Sequence, residues 1–202
     1  MRVAVLAAAL LLVAACSSGT GSPDPRPGSS NVDVDTPTLR AQKAEAGVEP
    51  CQRGRATPPT RDALPAVTLA CLGGGPAVEL SRLRGPLVIN LFAQWCGPCR
   101  TELPFYEELH RKGKGAVRVL GIDYLDTQPS AALDLVQETG VTYPLVADPD
   151  GDLRAPFRIR GLPGLVLVDG SGRVVDVEFR VVSSYAELRG IVQQRLDVRL
   201  PR

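Results

Sequence analysis

Two cysteines three positions apart follow a continuous apolar run, and this junction constrains the fold more than any other part of the sequence. Residues 87–92 (LVINLF) are typical of a strand buried at the centre of a sheet. The segment 97–111 after Cys96 has helical periodicity, with Pro104 as an expected kink. The chain is therefore expected to present Cys96 and Cys99 at the start of a helix that leaves a central strand.

The rest of the chain alternates between strand-like and helix-like segments. Strands are predicted at 66–69, 117–122, 143–146, 165–168 and 174–179, and helices at 130–139, 151–157 and 184–196, with a short helix at 39–46 left open. The turn-rich segment 169–172 predicts that the last two strands form a hairpin. Strands separated by helices and closed by a hairpin predict an α/β fold, with a central mixed sheet flanked by helices.

The N-terminus has the pattern of an export signal. Arg2 precedes 13 apolar residues, fewer than the roughly 20 needed to span a membrane. Ala14 and Ala15 then lead into Cys16, an ending that resembles the lipobox of bacterial lipoproteins. We expect Cys16 to be lipidated and the protein to be anchored to the outer face of the cell membrane; an ordinary secretory signal is the alternative.

Three regions are expected along the chain. Residues 1–15 would be the signal peptide, 16–50 a flexible tether and 51–202 the folded domain. Within 17–38, 12 of 22 residues are Gly, Pro or Ser, a composition that buries too little apolar surface to offset the entropy of ordering.

Composition excludes several classes of function. With 23 basic and 22 acidic residues, the charge gives no reason to expect a nucleic-acid partner. A single histidine, His110, argues against a His-based zinc enzyme or a Ser-His-Asp hydrolase, and we expect neither a metal nor a cofactor. His110 is expected to be solvated on the polar side of its helix.

Five cysteines divide into one lipid site and two pairs. Outside the cytoplasm disulfides persist, and we expect Cys51 and Cys71 to bond to each other. Closing that loop would contribute roughly 3 kcal/mol in the chain-entropy model. A structural disulfide is the favoured interpretation, and a second redox pair is the alternative.

Cys96 and Cys99 have the spacing of a redox centre. At a helix N-terminus, the free N–H groups and the helix dipole stabilise a thiolate, which is the attacking species in thiol–disulfide exchange. Cys96, nearer solvent, is expected to attack, and Cys99 to resolve the mixed disulfide. The alternative of a zinc site would need two further ligands. The alternative of a purely structural disulfide is disfavoured because a bond at this spacing would stabilise the fold poorly.

The stretch 90–104 (NLFAQWCGPCRTELP) resembles the thioredoxin superfamily and, within it, the TlpA/ResA-like membrane-anchored thiol–disulfide oxidoreductases. The similarity covers about residues 60–197 and includes the helix–strand insertion of that branch, at about 130–146. The resemblance implies a thioredoxin fold and exchange with extracytoplasmic protein substrates. It often implies the supply of reductant for cytochrome c maturation. The expected partners are then apocytochrome c as a substrate and a membrane thiol reductant as the electron donor. The protein is expected to be a monomer.

Further site residues follow from the resemblance. Leu162 and Pro163 match the family's cis-proline loop, which offers backbone groups to a substrate; Leu162 departs from the usual Thr, Val or Ile, and an ordinary trans proline is the alternative. Trp95 is expected to form a wall beside the site, and Gly97 and Pro98 to form the turn between the cysteines.

Glu102 matches an acidic residue that ResA-like proteins keep near the disulfide. It is expected to transfer protons after partial burial raises its pKa, unless it only stabilises the first turn of the helix. Asn90 stands where cytoplasmic thioredoxins have a buried Asp and cannot titrate.

The sequence thus predicts an extracytoplasmic thiol–disulfide oxidoreductase. A thiol peroxidase is one alternative, although the residues before Cys96 lack the Pro-x-x-x-Thr/Ser-x-x-Cys context. A non-catalytic lipoprotein used for binding or as a metallochaperone is the other.

Overall fold

A computed structural model of the protein describes residues 30–59 and 61–202. The strands are β1 (Thr68–Cys71), β2 (Val78–Glu79), β3 (Leu87–Phe92), β4 (Arg118–Tyr124), β5 (Leu145–Asp148), β6 (Gly164–Val168) and β7 (Val174–Glu178). The helices are α1 (Pro37–Glu45), α2 (Gly97–Lys112), α3 (Pro129–Thr139), α4 (Arg154–Phe157) and α5 (Tyr185–Leu196), with a 3-10 turn at Leu80–Arg82.

The strands form one mixed sheet in the order β2-β1-β5-β4-β3-β6-β7. Strand β3 is parallel to β4 and antiparallel to β6, and all six of its residues are buried. A central strand with both faces covered needs such a continuous apolar sequence. The α/β architecture expected from the sequence is confirmed.

A hydrophobic core lies on each face of the sheet. One core contains Phe92, Cys96 and Cys99 together with inward residues of α2, α3 and α5. The other lies on the opposite face and contains the Cys51–Cys71 disulfide. The two cysteine pairs therefore belong to different cores.

Local signals explain where several elements end. Ser184 is the N-cap of helix α5, and its side chain accepts a hydrogen bond from the Glu187 N–H. Gly140 is the C-cap of helix α3 and has φ 69°, a left-handed conformation that glycine adopts without steric cost. The strands β6 and β7 pair as the hairpin expected from residues 169–172.

Some boundaries differ from the sequence prediction. Helix α4 is limited to residues 154–157 instead of 151–157, because Gly151 has φ 72° and the Asp148 carboxylate accepts the Asp152 and Leu153 N–H groups in a turn. Strand β5 lies at 145–148 instead of 143–146, since Pro144 offers no N–H to a ladder. The two-residue strand β2 carries too little periodicity to be predicted.

The sequence predicts that the folded domain starts at Cys51. In the structure, buried residues already occur upstream of Cys51. Val34, Leu39 and Val48 are buried, and the Val34 carbonyl accepts a hydrogen bond from the Gly73 N–H at 2.8 Å. Helix α1, with Thr36 as its N-cap, contacts α3. Residues in the second half of the expected tether therefore complete the core.

Within the part of the chain that the structure describes, no helix has both the length and the apolar character needed to cross a membrane. The expected signal peptide and Cys16 lie outside the described residues.

Candidate active site

The junction between β3 and α2 holds a disulfide between Cys96 and Cys99. Cys96 is the N-cap of α2, and its sulfur accepts a hydrogen bond from the Cys99 N–H at 3.3 Å. The sulfur atoms therefore lie at the unsatisfied amides and the positive end of a 16-residue helix. This environment favours a thiolate at Cys96 once the bond is reduced.

Small and exposed groups surround this disulfide. Cys96 and Cys99 are 4% and 1% exposed, whereas Gly97 and Pro98 between them are exposed. Trp95 is 55% exposed, so an aromatic surface stands in solvent beside the buried sulfurs. Trp95, Gly97 and Pro98 are therefore the exposed residues next to the two cysteines in the sequence.

The Leu162–Pro163 peptide bond is cis and directly precedes β6. In the antiparallel register Gly164 lies opposite Leu91 of β3, so Pro163 lies at the sheet edge where β3 leads into Cys96. Pro163 is buried and Leu162 is half-buried. A second cis bond, Gly85–Pro86, precedes the other end of β3 and was not predicted.

Glu102 is fully buried on α2, three residues after Cys99 and on the same helix face. Its Oε1 accepts a hydrogen bond from the Val182 N–H, and its Oε2 has no partner among the described residues. Burial raises the pKa of Glu102 to about 7; the Val182 N–H opposes this rise and Glu187 adds to it. Glu102 is thus the buried titratable group nearest in sequence to the disulfide.

Sequence reasoning missed a pair of buried acidic residues, Asp123 and Asp126. Both are buried, at 1% and 2% exposure. Asp126 accepts hydrogen bonds from the N–H groups of Gln94 at 2.8 Å and Gln128 at 2.9 Å. Since Gln94 stands two residues before Cys96, Asp126 fixes the loop that carries the disulfide.

Asp123 lies on the same sheet face as Phe92, its partner in the parallel β3–β4 register. Neither of its carboxylate oxygens has a hydrogen-bond partner among the described residues. Burial raises the pKa of Asp123 well above its ordinary value, and Asp126 raises it further. An aspartate between Ile122 and Tyr124 in a strand was the sequence signal that could have identified it.

Trp95 is also held by the loop after β4, because its Nε1 donates to the Leu125 carbonyl at 3.2 Å. Asn90, in contrast, is 2% exposed, and its Oδ1 has no partner in the described chain. Buried polar groups of β3, α2 and β4 thus include one amide, Asn90, and two carboxyl groups, Glu102 and Asp123.

The second cysteine pair forms a separate disulfide, between Cys51 and Cys71. Strand β1, which carries Cys71, is separated from β3 by β5 and β4, a lateral distance of roughly 14 Å at about 4.8 Å per strand. Lys43 of α1 lies against this disulfide, with Nζ 2.9 Å from Cys71 Sγ. The sequence contained no signal for this contact.

His110 is not solvated as expected. Its side chain is 11% exposed and lies 3.2 Å from the Glu49 carboxylate, with its ring edge-on to Tyr143. The expectation was wrong because the segment before Cys51 packs over this part of α2, a contact that spans 61 residues. Among the residues that the structure describes, no cluster of His, Cys, Asp and Glu has the arrangement of a metal site.

Comparison with known proteins gives consistent relatives. Thiol:disulfide interchange protein HelX of Rhodobacter capsulatus is 33% identical over 114 residues, 55% of this chain and 62% of HelX. Thiol-disulfide oxidoreductase ResA of Bacillus anthracis is 31% identical over 104 residues, 50% of this chain and 60% of ResA. The matched region thus spans about three-fifths of each of these relatives.

Solved structures show the same fold. The structure of MTB dsbF in mixed oxidized and reduced forms superposes with a TM-score of 0.59 at 28% identity, covering 68% of this chain and 98% of dsbF. The model of the AhpC/TSA family matches residues 60–177, which include β1 to β7 apart from the last residue of β7. The chain therefore belongs to the AhpC/TSA family, with a thioredoxin-type fold similar to those of thiol–disulfide interchange proteins.

Proposed function

We propose that the protein is an extracytoplasmic thiol–disulfide oxidoreductase that acts on protein substrates through Cys96 and Cys99. The observation that carries this proposal is the disulfide at the N-terminus of α2, with the Cys96 sulfur on the Cys99 N–H. The names of HelX and ResA support the same chemistry.

The two cysteines have different roles in the proposed reaction. In the reduced protein, the Cys96 thiolate attacks a substrate disulfide, forms a mixed disulfide and expels one substrate thiolate. Cys99 loses its proton and attacks the Cys96 sulfur, which re-forms the Cys96–Cys99 bond and releases the second substrate thiolate. Two electrons pass to the substrate, whose two thiolates take up protons; the reverse sequence oxidises a dithiol substrate.

Glu102 is proposed as the group that exchanges protons with this pair. A carboxyl group with a pKa of about 7 is partly protonated at neutral pH, and such a group both gives and takes protons efficiently. Glu102 lies one helical turn after Cys99 and is buried, as Cys99 is. The Asn90 amide cannot titrate, so Glu102 is the proposed proton carrier.

The exposed groups around the disulfide form the proposed substrate surface. Trp95 offers an apolar face, and the turn at Gly97 and Pro98 is exposed. Leu162 and Pro163 end the neighbouring loop and would present backbone groups to an extended substrate peptide, as the family resemblance implies.

Anchoring and partners are proposals that rest on the sequence. A signal peptide at 1–15, lipidation at Cys16 and a tether after it would hold the domain at the outer face of the membrane. A membrane thiol reductant would supply electrons there, and apocytochrome c is the proposed substrate of a monomeric enzyme. Mass spectrometry of the mature N-terminus tests the anchor, because an unmodified Cys16 would contradict it.

Reduction of insulin by dithiothreitol, followed by turbidity, tests the activity. Wild type should accelerate precipitation, and Cys96→Ser and Cys99→Ser should each lose the acceleration while keeping wild-type circular dichroism. Ser171→Ala, in the β6–β7 turn at the opposite end of the sheet, is the matched control and should behave as wild type. Unchanged acceleration in both cysteine variants would contradict the proposal and favour the binding-module alternative, whereas peroxide consumption by Cys96 would favour a thiol peroxidase.

A further inference from the structure

We propose that Cys51–Cys71 is a second redox-active disulfide, opened by a small anionic thiol that attacks Cys51, with Lys43 stabilising Cys71 as the leaving thiolate. The proposal goes beyond exchange at Cys96–Cys99 and does not depend on it. It rests on three observations: the position of Lys43 beside Cys71, the surface groove that Cys51 and not Cys71 lines, and the charge around that groove.

Lys43 lies where it would stabilise a thiolate at Cys71. Its Nζ is 2.9 Å from Cys71 Sγ and 2.8 Å from the Gly74 carbonyl oxygen, and the residue is only 7% exposed. The negative charge of Asp35 raises the pKa of Lys43. However, Asp35 forms its ion pair with Arg40, at 2.6 Å. The ammonium therefore has no close carboxylate partner within the described chain while the disulfide is intact.

A buried ammonium without a counter-ion is costly. Burial lowers the pKa of Lys43 from its ordinary value, because it disfavours the charged form of the amine. A thiolate at Cys71 would supply the missing negative charge, so the contact favours the reduced state of this pair. The same charge stabilises the leaving thiolate, and a stabilised thiolate leaves faster.

Both cysteines are buried, at 4% and 2% exposure, but they differ in their position relative to the surface. Cys51 lines a surface groove of about 660 Å³ together with Gln52, Arg53, Arg55 and Pro76. Cys71 is not part of this lining and lies on the Lys43 side. An attacking thiol in the groove would thus meet Cys51 and leave Cys71 as the departing sulfur.

The charge around the groove selects the attacking thiol. Arg53 and Arg55 also line an adjoining hollow with three further arginines, Arg82, Arg84 and Arg118. Of these, Arg82 is ion-paired with Glu79, and Glu49, two residues before Cys51, faces His110. The positive field over Cys51 would concentrate anionic thiols at the groove.

The proposed reaction balances as ordinary exchange. A thiolate RS⁻ attacks Cys51 Sγ, the Cys51–Cys71 bond breaks, and Cys71 departs as a thiolate beside the Lys43 ammonium. A second RS⁻ attacks the outer sulfur of the mixed disulfide, which releases RSSR and the Cys51 thiolate; the latter is protonated by solvent. Two small thiols are oxidised, and one protein disulfide is reduced by two electrons.

Differential alkylation with peptide mass spectrometry tests the proposal, since it reads the two cysteine pairs separately in the same intact protein. After equilibration in glutathione redox buffers at pH 7, wild type should show reduced Cys51 and Cys71. Lys43→Met, which keeps the apolar stem and removes the charge, should shift this equilibrium at least about tenfold toward the disulfide and leave Cys96–Cys99 unchanged. A Cys51–Cys71 pair that stays fully oxidised in every buffer, or an equilibrium unaffected by Lys43→Met, would overturn the proposal.

Two further experiments distinguish an effect of the Lys43 charge on the redox chemistry from a purely structural role of Lys43. Lys43→Gln retains a donor for the Gly74 carbonyl without the charge, and it should behave as Lys43→Met; wild-type behaviour would contradict the role of the charge. In reduced protein, alkylation of Cys71 should reach half its maximal rate at a lower pH in wild type than in either variant, and coincident pH profiles would count against the proposal.

Comparing two thiols of different charge tests whether the groove selects anionic thiols. Glutathione should reduce Cys51–Cys71 several-fold faster than its monoethyl ester, which has the same thiol and one carboxylate fewer. High salt, or the double change Arg53→Gln and Arg55→Gln, should remove the difference. Equal rates for the two thiols in wild type at low salt would refute the selection for anionic thiols.

Discussion

Replacing Glu102 by glutamine should remove a penalty that burial places on the folded state above neutral pH. The pKa of this carboxyl rises from 4.5 to about 7 on folding, mainly through burial. Because the folded protein holds the proton more tightly, the unfolded chain binds fewer protons between these pH values, and stability falls as the pH rises. The penalty is absent below about pH 4.5 and complete above about pH 7.

The size of the effect follows from the same values. The difference between 4.5 and about 7 corresponds to about 3 kcal/mol at 1.36 kcal/mol per pKa unit. Glu102→Gln can keep the acceptor for the Val182 N–H while it removes the charge.

Urea unfolding of the oxidised protein at pH 5 and pH 8 measures this penalty. The free energy of unfolding of wild type should fall by about 2.5 kcal/mol more between these pH values than that of Glu102→Gln, because part of the penalty is already present at pH 5. Glu108→Gln, on the same helix but paired with Lys112 at the surface, is the matched control and should keep the wild-type pH dependence. If Glu102→Gln and Glu108→Gln showed the same pH dependence, the assignment of a raised pKa to Glu102 would be refuted.

Three further changes test the surroundings of the site. Asp126→Ala removes the acceptor of the Gln94 N–H and should lower the free energy of urea unfolding by about 1–3 kcal/mol and slow insulin reduction; wild-type values for both would show that Asp126 does not hold the loop. Asp123→Asn should flatten the loss of stability between pH 5 and pH 9, because burial raises the pKa of Asp123 and its ionisation destabilises the folded state; an unchanged slope would contradict this. Gly121→Ala would place a Cβ 2.4 Å from Cδ2 of Leu145 and should cost about 1–3 kcal/mol in urea unfolding, whereas wild-type stability would mean that β5 can shift to make room.

The features that the sequence predicts correctly depend on residues that are close together in the chain. The continuous apolar run of β3 and the helical periodicity after Cys96 are local signals, and so are the turn residues 169–172 that specify the β6–β7 hairpin. The fold class follows from these elements and their order. Glu102 is singled out through the resemblance to ResA-like proteins; its burial on α2 is seen in the structure, and its role in proton transfer stays a prediction.

The features that escape prediction depend on contacts between distant residues. Lys43 meets Cys71 across 28 positions, and His110 meets Glu49 across 61. Asp126 acts on Gln94 across 32 positions, through the side-by-side packing of β3 and β4. Periodicity shows which face of an element is apolar, but it does not show which polar side chains tertiary packing brings together.

The most direct measurement of the central claim is the capture of a mixed disulfide on Cys96. Cys99→Ser, which lacks the proposed resolving sulfur, should be incubated in reduced form with a disulfide-containing peptide and analysed by mass spectrometry. The account predicts a stable peptide adduct on Cys96, reversed by dithiothreitol and absent from Cys96→Ser. Failure of Cys96 to form an adduct, in Cys99→Ser protein with native circular dichroism, would contradict the assignment of Cys96 as the attacking sulfur.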